Sequence, residues 1–262
     1  MSTHKFTLPS GFECEVREMV GKHQRILTEK KGDYNDKLNE ILVDVLVRVG
    51  DVTSIDFKFV EGMLSADRKA ALVTARNFTL DFPETFPFKY TFKGAFTLRD
   101  GDVVTEHREC TEDLEVPTPE FPIRPYAGRE EWAGKPYSAI NKVKKLKLPK
   151  SGQEVQYTLL DGAGEKRSMQ YKEVSSHTPL QIRGVSYMHK GDNEEVPISL
   201  NLEKVSLKDI EAIRKHIDEH EGGIDTIVVL EHPHKDKVDD EFRTVRVDLL
   251  SEVAFFFPSQ AL

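Results

Sequence analysis

Five residues late in the chain have the types and the spacing of a metal site. His216-Ile217-Asp218-Glu219-His220 fits the pattern H-x-x-E-H. On a helix this sets two imidazoles one turn apart on one face, with a carboxylate beside them as a candidate base. The chemistry would be zinc-dependent hydrolysis. That class also needs a third ligand on a second helix downstream, and the residues after His220 read as strands. The run is crowded with Glu, Asp, Lys and His, so the pattern arises readily on a solvated helix face. His216 and His220 are therefore read as edge residues of such a face, with a metal-dependent hydrolase as the alternative. His232-Pro233-His234 reads as an exposed loop after a strand. His107 and Cys110 lack a second close cysteine and make no zinc knuckle. The sequence has no Gly-Lys-Ser/Thr phosphate loop and no Gly-x-Ser-x-Gly elbow, and Cys14 lies in no nucleophile motif. The expectation is a non-enzymatic chain with no cofactor.

The elements that would carry these groups follow from local pattern. Phe6 to Leu8 and Phe12 to Val16 flank Pro9-Ser10-Gly11, a hairpin signal. Leu38, Ile41, Leu42, Val45, Leu46 and Val49 recur at helical spacing, closed by Gly50-Asp51. Ser65 reads as a helix N-cap, with Asp67 in the first turn where the helix dipole favours an anion. Phe88, Tyr90 and Phe92 alternate with Lys89, Thr91 and Lys93, a half-buried strand that returns as Val103 to Glu115 across a turn at Arg99-Asp100-Gly101-Asp102. Glu154 to Leu160 is a strand, followed by a turn at Asp161-Gly162-Ala163-Gly164. Leu180 to Met188 and Val196 to Leu202 read as strands joined through Lys190-Gly191-Asp192-Asn193. Ser206 caps a helix running to Glu221, with Leu207, Ile210, Ile213 and Ile217 as its apolar face. Thr226 to Leu230, Thr244 to Leu250 and Val253 to Phe257 read as strands.

Bulk properties narrow the function classes. The chain has 262 residues and a net charge of −8. That balance argues against coating nucleic acid, which needs a surplus of Lys and Arg. Lys142, Lys144, Lys145, Lys147 and Lys150 form a basic strip, read as solvated linker. Two cysteines are too few for a disulfide framework. The opening residues carry no signal-peptide pattern, and no stretch is long and apolar enough to span a membrane.

The sequence also says one thing twice. Leu8-Pro9-Ser10-Gly11 returns as Leu148-Pro149-Lys150-Ser151-Gly152. Each copy is followed by a Ser-led helix, at Ser65 and at Ser206, and then by strands. The expected fold is α+β, made of two diverged modules of hairpin, helices and antiparallel sheet. They would cover 1–125 and 148–262, with a Pro-rich linker at 126–147.

This order of motifs resembles the baseplate hub and assembly proteins of contractile-tailed phages, the T4-type baseplate hub subunit family. The residues that carry the resemblance are the hairpin and charged strand from Leu8 to Glu18, the helix start from Leu64 to Leu72, the second hairpin at Leu148 to Gly152, the helix segment Asp209 to Arg214, and the aromatic end Phe255 to Ser259. Phage tail assembly chaperones share a similar opening, and the resemblance fits them as well. It implies a structural or assembly role without catalysis, in the virion's tail baseplate or in the host cytoplasm during assembly. The partners implied are baseplate hub, tail tube or tape-measure proteins. Phe255, Phe256 and Phe257, with Trp132 and Tyr137 in the linker, are the expected aromatic contact residues, and ordinary core packing is the competing reading for each.

Overall fold

The computed structural model describes residues 2–29, 31–100, 103–169, 175, 177–190 and 195–256. Its first hairpin pairs β1 (Thr3–Thr7) with β2 (Glu13–Arg17) across the Pro-Ser-Gly turn. Gly11 there takes φ of 89°, a conformation that costs glycine little. Helices α1 (Gly21–Thr28) and α2 (Tyr34–Val45) follow. The expected helix through Val49 ends at Val45, because Leu46–Val49 turns into strand β3 and pairs with β2. Its β-branched residues and the open edge of β2 outweigh the helical spacing. Next come α3 (Phe57–Gly62) and α4 (Ser65–Thr79). Ser65, expected as a cap, is the first helical residue, and Leu64 occupies the cap position.

The long hairpin of β4 (Thr85–Asp100) and β5 (Val103–Pro117) has the expected alternation: Phe86, Phe88, Phe92 and Phe96 are buried, Lys89, Thr91 and Lys93 exposed. Residues 101 and 102 of its expected turn lie outside the described residues.

The expected linker, 126–147, is packed structure. Strand β6 (Ile123–Arg124) leads into it, 3-10 turns at Arg129–Trp132 and Tyr137–Ala139 bury their aromatics, and β7 (Val143–Lys147) ends it. Because β7 pairs with β8 (Glu154–Thr158), the second hairpin begins inside that segment, and Lys144, Lys145 and Lys147 of the basic strip lie on a strand.

The glycines read as a turn open helix α5 (Gly162–Met169) instead. Residues Thr178–Ile182 form helix α6, not the expected strand, with Pro179 in its first turn where a missing N–H costs nothing. Then come β9 (Ser186–Lys190) and β10 (Glu195–Ser199), in a sheet ordered β10-β9-β8-β7. Residues 191–193 of their expected connection are outside the described residues.

After α7 (Leu207–His220), β11 (Gly223–Ile224) pairs back to β6. A second hairpin follows, of β12 (Ile227–Glu231) and β13 (Thr244–Asp248). The chain's last described element, α8 (Val253–Phe256), is a helix where a strand was expected.

The fold is α+β, and every strand pair among the described residues is antiparallel. Both halves share an order of hairpin, two helices, a strand paired to the hairpin, a long helix and a further hairpin, but α3 stands before the long helix in the first half where β10 stands in the second. The burial patterns of β1 and β7 are identical, and α1 and α5 have 8 residues each. One continuous hydrophobic cluster draws on both halves, from Leu8 to Phe256.

Candidate functional site

The two histidines of the H-x-x-E-H pattern do lie together on α7, with ring centroids 3.9 Å apart. Both are engaged within the fold. The Tyr157 hydroxyl lies 2.9 Å from Nδ1 of His216 and 3.2 Å from its carbonyl oxygen. His220 Nδ1 lies 2.8 Å from that same carbonyl. Burial, followed by the neighbouring His220, holds the His216 pKa below its ordinary value. Glu219 turns outward toward Lys215, 3.8 Å away. Among the described residues no group of three His, Cys, Asp or Glu side chains is placed to hold a metal.

The His232 loop is a correction. His232 is 1% exposed, wedged against Phe92 and Phe96 with centroids 5.3 and 5.4 Å away. His234 and His107 stack on Phe96 at 4.7 and 5.2 Å. The cluster joins the β12–β13 hairpin to the β4–β5 hairpin, and its imidazoles serve as flat packing surfaces. Cys110 Sγ donates to Glu112 and takes no part. Cys14 is fully buried, and burial pushes its thiol pKa up, so it stays protonated and inert.

The expected contact aromatics are core. Phe255 and Phe256 are buried, and the Arg76 guanidinium lies 4.4 Å from the Phe255 ring and 4.9 Å from that of Phe86. Trp132 and Tyr137 are buried too, so none of these four offers a docking surface. Phe257 lies outside the described residues.

Side-chain chemistry concentrates instead where the two halves repeat each other. Asp67 and Asp209 are both the third residue of a long helix, and both hold a hairpin turn. Asp67 accepts from the Ser10 N–H at 3.0 Å. Asp209 accepts from the N–H groups of Lys150 and Ser151 at 2.8 and 3.2 Å. The far helix ends match as well. The Met19 N–H donates to the Thr79 hydroxyl, and the Leu160 N–H to Glu221. The doubled Pro-Ser-Gly turn is thus a clip, closed in each half by the helix that follows.

Around Asp67 the second half closes over the first. Tyr137 donates to Asp67 at 2.8 Å and accepts from the Leu64 N–H, while Tyr126 accepts from the Ala66 N–H. Ser65 N–H donates to the Leu160 carbonyl, and Leu64 forms a bridge to Asp161. The buried Arg68 reaches Glu165 of α5 together with Asn35 and Asn39 of α2. Lys166 adds an ion pair to Asp36 at 2.9 Å. A Cβ at Gly162 would come within 2.8 Å of the Glu61 carbonyl, so only glycine permits this approach. Burial raises the Asp67 pKa to about 6, against the hydrogen bonds from Ser10 and Tyr137. For Asp209 burial also pushes upward, but the hydrogen bonds from Lys150, Ser206 and Ser151 outweigh it and the pKa falls below its ordinary value.

No family model, curated protein or solved structure matches this chain.

Two kinds of open surface remain. A groove of about 490 Å³ beside the first clip is lined by Phe12, Arg48, Arg129 and Glu130, with Trp132 at its base. Large apolar side chains also face solvent, chiefly Leu207 and Val229, with Phe82, Ile198 and Val20. Leu207 is a second correction: it was expected on the buried face of α7 and is 76% exposed. The sequence reading missed Arg68 and Arg76, although charged residues amid the alanines of a largely apolar helix were a signal of buried ion pairing.

Proposed function

We propose that this chain is a structural or assembly protein of a contractile phage tail baseplate, working by docking to other tail proteins and not by catalysis. The observation that carries this reading is how the side chains are divided. His216, His220, His232, Cys14, Asp67 and Arg68 are all engaged inside the fold, whereas Leu207, Val229, Phe82 and Val20 are left at the surface. Exposed apolar side chains on a folded scaffold favour association. The twice-stated clip-and-helix order, which resembles the T4-type hub and assembly proteins, supplies the setting. The partners are then hub, tail tube or tape-measure proteins, met in the particle or in the host cytoplasm.

Co-expression with baseplate hub, tail tube and tape-measure proteins tests the proposal. Capture of the chain is expected to retain one of them at a fixed ratio. Retention of none, together with stoichiometric zinc that is lost on His216→Ala, would replace it with the hydrolase reading.

A further inference from the structure

The joint between the two halves uses one end of the module twice, and only one use is filled. The segment leading into α5, Leu160-Asp161-Gly162, lies on the start of α4 at Leu64-Ser65. The matching segment of the first half is Met19-Val20-Gly21, leading into α1. The matching helix start of the second half is Ser206-Leu207. Both are at the surface: Val20 is 42% exposed and Leu207 76%. A Cβ added at Gly21 meets nothing within 4 Å, in contrast to Gly162. The module therefore has a plug and a socket. Inside the chain the plug of the second half fills the socket of the first, which leaves one plug and one socket over.

The unused surfaces differ from the used ones in a consistent direction. Val20 replaces Asp161, and Leu207 replaces Ser65. Asp161 is needed as a cap, since its side chain accepts from the Gly164 N–H. At the start of α1 the matching N–H, that of His23, donates to the Val20 carbonyl and needs no side-chain acceptor, while His23 Nδ1 accepts from the Val20 N–H at 2.8 Å. Position 20 is thereby released to carry an exposed apolar side chain. Around the pair, α1 presents Arg25, with Lys22 paired to Asp44 at 2.8 Å, and α7 presents Lys208 as well as Glu211, so the joint rests on the apolar pair and the repeated backbone geometry and not on charge.

We infer that a second copy of this chain docks its Val20–α1 plug onto the Leu207 socket of the first, repeating between molecules the joint found within one. A plug-and-socket contact is heterologous. It does not close on two subunits, so the chains form a ring or an open row. This goes beyond the tail proposal and stands without it.

The test is the mass of the full chain in solution, by sedimentation equilibrium over a concentration series, for the wild type, Val20→Asp, Leu207→Asp and an equimolar mixture of the two variants. Both side chains are exposed, so the variants keep their fold, and circular dichroism checks that they do. The wild type is expected to reach at least twice the single-chain mass, rising with concentration, and each variant to stay at the single-chain mass. The mixture is expected to double in mass and stop, because one variant keeps its plug and the other its socket. A wild type that stays at single-chain mass throughout, or variants that assemble as it does, would overturn the inference. Gly21→Ala gives a second reading: it leaves the fold intact, and weakened assembly supports close approach at the joint, whereas undiminished assembly counts against it.

Discussion

The starts of α4 and α7 are the same piece of structure in two settings. Each helix holds a hairpin turn through the carboxylate at its third residue. At α4 everything from Leu64 to Arg68 is buried, under Tyr126, Tyr137 and the lead into α5. At α7 Asp209 and Ile210 are buried, but Leu207 and Lys208 stand in solvent. The residue types have followed the setting. The covered start carries Ser65 and Arg68, which meet Glu165; the open one carries Leu207 and Ile210 in their places. A local motif fixes the clip, and the environment decides what else the same backbone holds.

The sharpest way to break this comparison is to remove a group at the covered joint and its counterpart at the open one. Glu165→Ala strands the buried Arg68 without its carboxylate, and losing one partner of a buried pair costs about 3–5 kcal/mol. Gln24→Ala, at the matching place on α1, is expected to change stability by less than about 0.5 kcal/mol. Denaturant unfolding of both variants measures the difference, and equal losses would mean that the halves are not held as described.

The two clip carboxylates give a contrast in pH. Asp67 has a folded pKa of about 6 against an ordinary 3.8. Its contribution to stability is therefore full below pH 3.8 and lost as pH rises through 6. By linkage that amounts to about 3 kcal/mol. Asp209 is shifted downward, so its contribution is present above the ordinary carboxylate pKa and lost as pH falls. Against the wild type, Asp67→Asn should gain stability from pH 4 to pH 7 in thermal melts, while the deficit of Asp209→Asn should hold across that range and shrink only as pH falls below the ordinary carboxylate pKa. Parallel curves for the three proteins would contradict the assignment.

A smaller effect sharpens the same comparison. Gly162→Ala pushes a methyl group against the Glu61 carbonyl, and overpacking of this kind costs about 1–3 kcal/mol. Gly21→Ala meets open space and is expected to be neutral, or stabilising by up to about 1 kcal/mol through the unfolded chain. Thermal unfolding of the pair distinguishes them.

Much of the fold was legible because its signals are local. Pro9-Ser10-Gly11 names its own turn, the Phe86-to-Phe96 alternation names a strand, and Ser206 names a helix start. Where the sequence misled, distant partners decided. Gly162 and Gly164 look like a turn, yet they open a helix capped by Asp161, with Gly162 set against the Glu61 carbonyl and Gly164 against the Leu160 side chain. Phe255 and Phe256 favour a strand by composition, but they complete a core whose other walls are Phe86, Phe121 and Arg76. His232 reads as loop because Phe92 and Phe96 lie far from it in sequence. The site fared similarly: the repeat could be seen in the doubled clip, but which copy was covered could not.

Arg76 has a consequence for the order in which the molecule can be made. Its guanidinium lies over the rings of Phe86 and Phe255, which touch each other edge to face, and donates to the Phe255 carbonyl at 2.8 Å, and burial draws its pKa down to about 10. During synthesis the first half leaves the ribosome long before residue 255. Until then the wall of its core stands open, with a charged group waiting in it. The amino-terminal half thus finishes folding only when α8 arrives, and a product released before it keeps the Arg76 guanidinium exposed.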